Sequence, residues 1–377
     1  MRDYFNEDSP TRFIFPIDGD CVNAGDGKET EKGTTFTATV SSKAGCEVTV
    51  NGIAATESNG IYKAEITVCN RQTELVAKNL TDGTEAAVSV FRFPESMGKY
   101  RISSDDNILF LADITYNKDK YTSIFDNPYL SVYKKAHDLY GAKIHLNVFY
   151  EFDREAAKAF SSVRPDFNLS MVTDKFKAEW EANSDWLKLA FHSRKEFPPR
   201  PYLLDPPETI IRDFKDVERE VIRFAGEKTF SGDVTTIHYG SANAECVAAL
   251  RDLGHKALTG YFELNRLGNP SVSYYASIPL TLHVGERDFF VDTEMGIAFG
   301  RIDRVTNLGT LDEIMEDIKN IIAHPHRGGF VSFMIHEQYF YEDCKYYLPD
   351  FEARVLEPAR LLWENGYTGA FIKEIIG

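Results

Sequence analysis

The stretch Trp186-Leu187-Lys188-Leu189-Ala190-Phe191-His192-Ser193-Arg194-Lys195-Glu196 joins a run of apolar, β-forming residues to a His, a hydroxyl and a carboxylate. The apolar half predicts a buried strand, and the reactive half falls where that strand must end. In a parallel α/β barrel, chemistry collects at the C-terminal ends of the strands. His192 and Glu196, four residues apart, can share one face of a following helical turn and point at one ion. The competing reading is a core-flanking His beside a solvated Arg-Lys-Glu run. Three other predicted strands end in the same way, at Asp105-Asp106, at His238 and at His336-Glu337. A barrel gathers such ends around one mouth, whatever their separation in sequence. An Asp with two further nitrogen or oxygen ligands, and one position left for water, is how a catalytic divalent ion is held. The ion would acidify that water and polarise a carbonyl. A second carboxylate could then serve as base, and a His on the opposite wall could protonate the leaving group.

The elements that must position these groups alternate between strands and helices, which predicts a mostly parallel sheet. Tyr100–Ser104 reads as a strand, and Asn127-Pro128 caps and starts a helix that runs to Gly141. Lys143–Tyr150 is the next strand, followed by a helix around Thr173–Asn183. Pro206-Pro207-Glu208 opens a long helix with apolar residues at Ile211, Phe214, Val217, Val221 and Phe224, a spacing that buries one face. Val234–Ile237, a helix over Asn243–Leu253 and a strand over His255–Gly260 come next, then an irregular insertion with a hairpin over 262–305. A helix over Leu311–Ala323, the strand Gly329–Ile335, a last helix and the strand Thr368–Phe371 bring the total to about seven strand-helix units.

Residues 1–97 read differently. Phe13–Ile17, Thr35–Val40, Glu47–Val50, Gly60–Val68 and Glu85–Phe91 alternate at period two, with tight turns at Asn51-Gly52 and Asn59-Gly60. Short strands at this spacing predict an immunoglobulin-like sandwich, joined at Phe93–Gly98 to residues 98–377. Asp18, Asp20 and Asp26 are a possible calcium cluster, read in preference as a solvated turn because regular loop spacing is missing.

The chain has 377 residues, above the usual single-domain size, with 43% hydrophobic and 13% aromatic residues. A net charge of -16 argues against nucleic-acid and anionic-membrane partners, which need clustered Lys and Arg. Met1–Asp8 has no apolar leader pattern and no stretch is long enough to span a bilayer, so the expected location is cytoplasmic. The five cysteines are widely spaced without CxxC, which predicts core fillers in a reducing compartment.

Several of these motifs resemble known families. Val-Thr-Val-Asn-Gly, Gly-Ile-Tyr and Thr-Glu-Leu-Val-Ala-Lys are similar to bacterial Ig-like modules attached to carbohydrate-active enzymes. Asp105-Asp106 after a strand, His-Ser with a ligand four residues on, the block from Tyr239 to Lys256, and an apolar strand ending in Ile-His resemble the polysaccharide deacetylases. The resemblance covers roughly residues 99–377 and implies the NodB-homology fold, a distorted (β/α)7 barrel. It implies a zinc-type divalent ion that removes acetyl groups from N-acetylated sugars. Carried over by position, Asp105 is the general base, Asp106 and His192 are metal ligands, and His336 is the general acid. Glu196 stands where the family has a third ligand, a His, which makes the site harder and more anionic. The family's Arg-Pro-Pro before Tyr-Gly is here Thr236-Ile237-His238, so the Arg that steadies the base is missing. His238 either adds a metal ligand or replaces that partner. The tryptophan-bearing motif of the family has no counterpart.

Glu337 enters as a further catalytic candidate that could orient a His. Tyr239, Tyr339 and Tyr341 are candidate substrate contacts, the last two as a platform for a sugar ring. Ser193 lacks the strand-turn-helix elbow of a serine hydrolase. Two alternatives to a metal-dependent hydrolase stand beside it. One is a metal-free glycoside hydrolase using Asp105 and Glu337 as paired carboxylates. The other is a non-catalytic protein that binds a carbohydrate or a partner.

Overall fold

The computed structural model describes residues 4–377; of the Met1–Asp8 stretch, the first three residues lie outside the described ones. Near the N-terminus, alternation of buried and exposed side chains along Gly33–Ser41 and Ile61–Val68 sets the register of an antiparallel pair. Phe36 faces Ile66, Ala38 faces Ala64 and Val40 faces Tyr62. A one-residue slip would turn this whole set to solvent. Asn51-Gly52 and Asn59-Gly60 both adopt positive φ at each residue, as tight hairpins require. Among the described residues, two five-stranded sheets form here. They bury one shared core that includes Phe36, Val40 and Tyr62 from one sheet and Val50, Leu75 and Val90 from the other. Gln72–Asn79, central in the second sheet, extends the sequence-predicted strand set.

From residue 99 onward the fold is mixed α/β. Parallel strands Phe230–Ser231, Leu187–Ser193, Ile144–Phe149, Lys99–Asn107, Phe330–His336 and Arg304–Val305 lie side by side in that order and curl into a half-barrel. A second sheet holds Val234–Thr235, Ala257–Gly260, Ile297–Arg301 and Phe289–Asp292. The last two show that the expected insertion is in part a sheet element, since Ile297–Arg301 pairs in parallel with Ala257–Gly260. The helix Pro128–Tyr140 has its Asn127 cap and ends at Gly141 in the left-handed region. The helix Pro207–Ala225 buries Phe214, Val217, Val221 and Phe224 as its spacing predicts, but Ile210 rather than Ile211 faces the core. Each such side chain removed from water contributes about 1.5–3 kcal/mol.

The N-terminal sheets pack against the strand N-termini of the half-barrel. Cys21 and Phe93 share a core with Val234, Ala257, Phe289 and Phe330. Asp18 and Asp20 are buried here, and the Asp26 carboxylate is shielded from solvent, instead of the three forming a solvated turn. Asp20 bonds His283, Asp26 bonds Arg287 and His326, and Asp18 accepts from Thr293. The backbone of Gly19 also accepts from Val291 N–H at 2.9 Å. All five cysteines are free; Cys21, Cys246 and Cys344 are buried, whereas Cys69 is exposed and is no core filler. Among the described residues, no helix is long and apolar enough to cross a membrane.

Candidate metal centre

Asp106 does not follow its strand but lies within it. The Lys99–Asn107 strand continues past the Asp pair, with a register irregularity between Ser104 and Asn107. There Asp106 takes φ 63°, in the left-handed region. Such a backbone costs an Asp of order 1–3 kcal/mol and persists only where its surroundings enforce it. The twist lets adjacent residues Asp105 and Asp106 both line one cavity, where strict alternation would send them to opposite faces.

His192 is the penultimate residue of Leu187–Ser193, and His238 opens a short turn after Val234–Thr235. Three atoms converge: His192 Nε2 lies 3.2 Å from Asp106 Oδ1, His238 Nδ1 lies 3.1 Å from His192 Nε2, and His238 Nδ1 lies 3.4 Å from Asp106 Oδ1. Ligands held tetrahedrally at zinc-type distances sit about 3.3–3.5 Å from one another, so the triangle has nearly the dimensions of one ion's shell. The remaining ring nitrogens fix the tautomers. His192 Nδ1 donates to the Thr236 carbonyl at 2.5 Å, and His238 Nε2 donates to the Glu196 carbonyl at 3.0 Å. Each neutral imidazole therefore turns a lone pair toward the carboxylate. Three acceptors this close repel unless a cation or a proton sits among them. The backbone-anchored His is also the usual arrangement around a bound metal. Asp106, His192 and His238 thus form a group that could hold a metal ion.

Electrostatics follow from this crowding. Burial alone would raise the Asp106 carboxyl, but His192, His238 and the charge of His336 hold it well below the usual carboxylate range. Burial opposes charging of His192, yet the neighbouring Asp105 and Asp106 raise it overall. Gln338 Nε2 donates to Asp106 Oδ2 at 3.0 Å, leaving Oδ1 for the triangle.

Glu196 is positioned differently from the expectation. It follows the strand in an irregular loop and not on a helical turn, and its carboxylate lies 3.8 Å from His238 Nε2, on the far edge of that ring. Its contribution to the centre runs through its backbone carbonyl. Burial, then the charge of Asp106, push its carboxyl up to about 7. The adjacent Arg194 and Lys195 anchor the loop by pairing with Glu151, Asp153, Asp213 and Asp216.

Asp105, 3% exposed, accepts from Asn147 Nδ2 at 2.6 Å. Asp105 pairs in register with His336 on the neighbouring strand. His336 Nδ1 donates to Asn307 Oδ1 at 2.8 Å, and its Nε2 is 4.0 Å from Asp106 Oδ2. Both line the cavity of about 430 Å³ that holds the triangle, together with Tyr239, Tyr339 and Tyr346.

Two expected residues are not there. The Glu337 carboxylate accepts the backbone N–H groups of Ile108, Leu109 and Phe110, and the Tyr341 hydroxyl donates to it. It caps the helix Leu109–Tyr116 from below the site. Burial pushes Glu337 up to about 7 against the pull of these four donors. Tyr341, spent on Glu337, stands outside the cavity, which excludes the sugar-platform pairing with Tyr339. Tyr339 instead stacks with Tyr346, ring centroids 5.8 Å apart. Ser193 is fully buried near Tyr202. Asn147, Asn307 and Gln338 escaped the sequence reading. Gln338, two residues beyond His336, was within reach of it, but the two amides carry no spacing signal.

No protein-family model matches the chain, and no curated protein matches it. Among solved structures, a peptidoglycan N-acetylglucosamine deacetylase bound to a naphthalenyl N-oxidanyl-benzamide aligns over 75% of this chain and 90% of its own, at 11% identity and a TM-score of 0.35. A candidate alpha-galactosidase from Bacteroides fragilis aligns over 97% of this chain and 80% of its own, at 9% identity and a TM-score of 0.26. Scores this low leave the chemistry to be read from the residues themselves.

Proposed function

We propose that this chain is a metal-dependent hydrolase that removes an acyl group from a carbohydrate or a related small substrate. The observation that carries the reading is the Asp106–His192–His238 triangle, whose two imidazoles have their other nitrogens committed to backbone carbonyls. A divalent ion held there, with zinc the best match to two nitrogens and one oxygen, would polarise a carbonyl and acidify a water. Asp105, oriented by Asn147, would accept the proton of the attacking water. His336, oriented by Asn307, delivers a proton to the departing amine or alcohol. Tyr239, Tyr339 and Tyr346 supply faces and hydroxyls for a sugar ring.

The same reading takes residues 98–377 as a polysaccharide deacetylase-like barrel of the (β/α)7 kind, with His238 as third ligand in place of Glu196. Residues 1–97 are its Ig-like β-sandwich domain. A glycoside hydrolase using Asp105 and Glu337 has no support, because Glu337 is committed to a helix N-terminus.

Metal analysis of the purified protein, with and without added Zn²⁺, tests the proposal. About one divalent ion per chain is expected, with a rise in melting temperature that chelator reverses; at a hundredfold excess over Kd the gain is about 2.7 kcal/mol. Asp106→Asn should weaken metal binding at least tenfold while the protein still folds. Absence of any metal-dependent stabilisation in the wild type would sink the reading.

A further inference from the structure

A second cavity, about 160 Å³, lies against the donor triangle. Its wall is made by Ile108, Leu109, Phe149, Phe152, Ala156 and Phe160, and Asp106, Glu196, Gln338 and Tyr346 line both it and the larger polar cavity. The Phe149 ring packs 5.2 Å from that of His192 and 5.1 Å from that of His238, so the apolar wall begins at the ligands themselves. The exposed pair Glu155 and Lys158 also lines it, as do Lys345 and the buried Asp153, whose carboxylate is paired with Lys195.

We infer that this cavity receives the chain of an acyl group longer than acetyl, of about six carbons. The inference rests on the hydrolase reading and adds the substrate class. An apolar protein cavity of about 150 Å³ accommodates benzene, a six-carbon guest. An acetyl methyl would leave most of the space beside Phe149 and Phe152 unfilled. With the acyl carbonyl at the triangle, the chain enters the apolar cavity and the sugar occupies the polar one. Water adds to the carbonyl carbon and the carbon–nitrogen bond breaks. The amine leaves with a proton from His336, and Asp105 takes the proton of the water. The products are a fatty carboxylate and a free amino sugar.

The test uses the Zn²⁺-loaded full chain with N-acetyl-, N-butyryl-, N-hexanoyl- and N-octanoyl-glucosamine, following amine release. Calorimetry of acetate and hexanoate binding to the same preparation runs in parallel. Burial of each methylene favours binding about fourfold, so kcat/KM should rise at least tenfold from acetyl to hexanoyl, and hexanoate should bind at least tenfold tighter than acetate. Ala156→Trp, checked for folding by its melting curve, should cut both hexanoyl-to-acetyl ratios at least tenfold. Equal or inverted ratios in the wild type, or ratios unmoved by Ala156→Trp, overturn the inference. If no amide is cleaved but hexanoate still binds tighter and Ala156→Trp abolishes the difference, the apolar subsite stands and the hydrolase reading falls.

Discussion

Asn147 shows how one unassuming side chain can tie the reactive groups together. Its amide nitrogen donates to Asp105 at 2.6 Å and approaches Thr236 Oγ1 at 3.3 Å, while the Thr236 carbonyl holds His192. Asp105 and His192 are therefore positioned through neighbouring atoms of one network. Asn147→Ala should lower kcat about 10- to 100-fold with KM nearly unchanged, because misplacing a reacting group penalises the transition state more than binding. Steady-state kinetics on an acylated amino sugar separate the two. At this scale the sequence was partly legible. Asp105, Asp106, His192, His238 and His336 all reach one cavity because strand-end residues share a mouth. Glu196 and Glu337 misled for a definite reason. A carboxylate close to a His in sequence has no obligation to face it: Glu196, four residues from His192, lies at the rear of the His238 ring, and Glu337, adjacent to His336, turns to a helix.

At the scale of elements, the helix Leu109–Tyr116 starts without a side-chain cap of its own. Its first donors are met by Glu337, which arrives from the end of the neighbouring strand Phe330–His336. The helix that follows Asp105-Asp106 is thereby tied to the strand that ends in His336. Glu337→Ala would leave three buried N–H groups without partners, and a stability loss of about 3–5 kcal/mol is expected in urea unfolding. A variant that folds as well as wild type but loses turnover would restore Glu337 to a reacting role. Helices with strong end or face signals were legible, since Asn127-Pro128 with Gly141 marks both ends of one and three-four spacing marks the face of another, whereas the uncapped Leu109–Tyr116 went unread. The strand Ile297–Arg301 was hidden because five residues with a Gly carry too little period to stand out from a loop.

At the scale of the molecule, the two N-terminal sheets touch the end of the half-barrel opposite the Asp106–His192–His238 triangle, and among the described residues none before 105 lines the polar cavity. The join is electrostatic as well as apolar. Burial would raise the Asp20 carboxyl, but His283 and Arg287 hold it below its ordinary value. A carboxyl depressed by folding adds stability above the unfolded-state pKa, and that stability disappears as pH falls through the folded value. Acidification below about pH 4 should therefore loosen the join. Asp20→Asn should lose roughly 3 kcal/mol at pH 7 and show a flatter acid limb in melts taken from pH 7 to pH 3. None of this was visible in the sequence, where an Asp-Gly-Asp looks like any turn; only a fold can bring Asp20 to His283, 263 positions away.

The Gly19–Val291 hydrogen bond has a practical corollary for anyone trimming this protein. Severing the chain near residue 97 would strip Phe289 and Phe330 of their cover and leave Arg287 stranded without Asp20 and Asp26. The isolated C-terminal piece should precipitate or melt well below the intact protein, a difference that scanning calorimetry of the two would register. The front of this molecule is a foundation stone rather than a passenger.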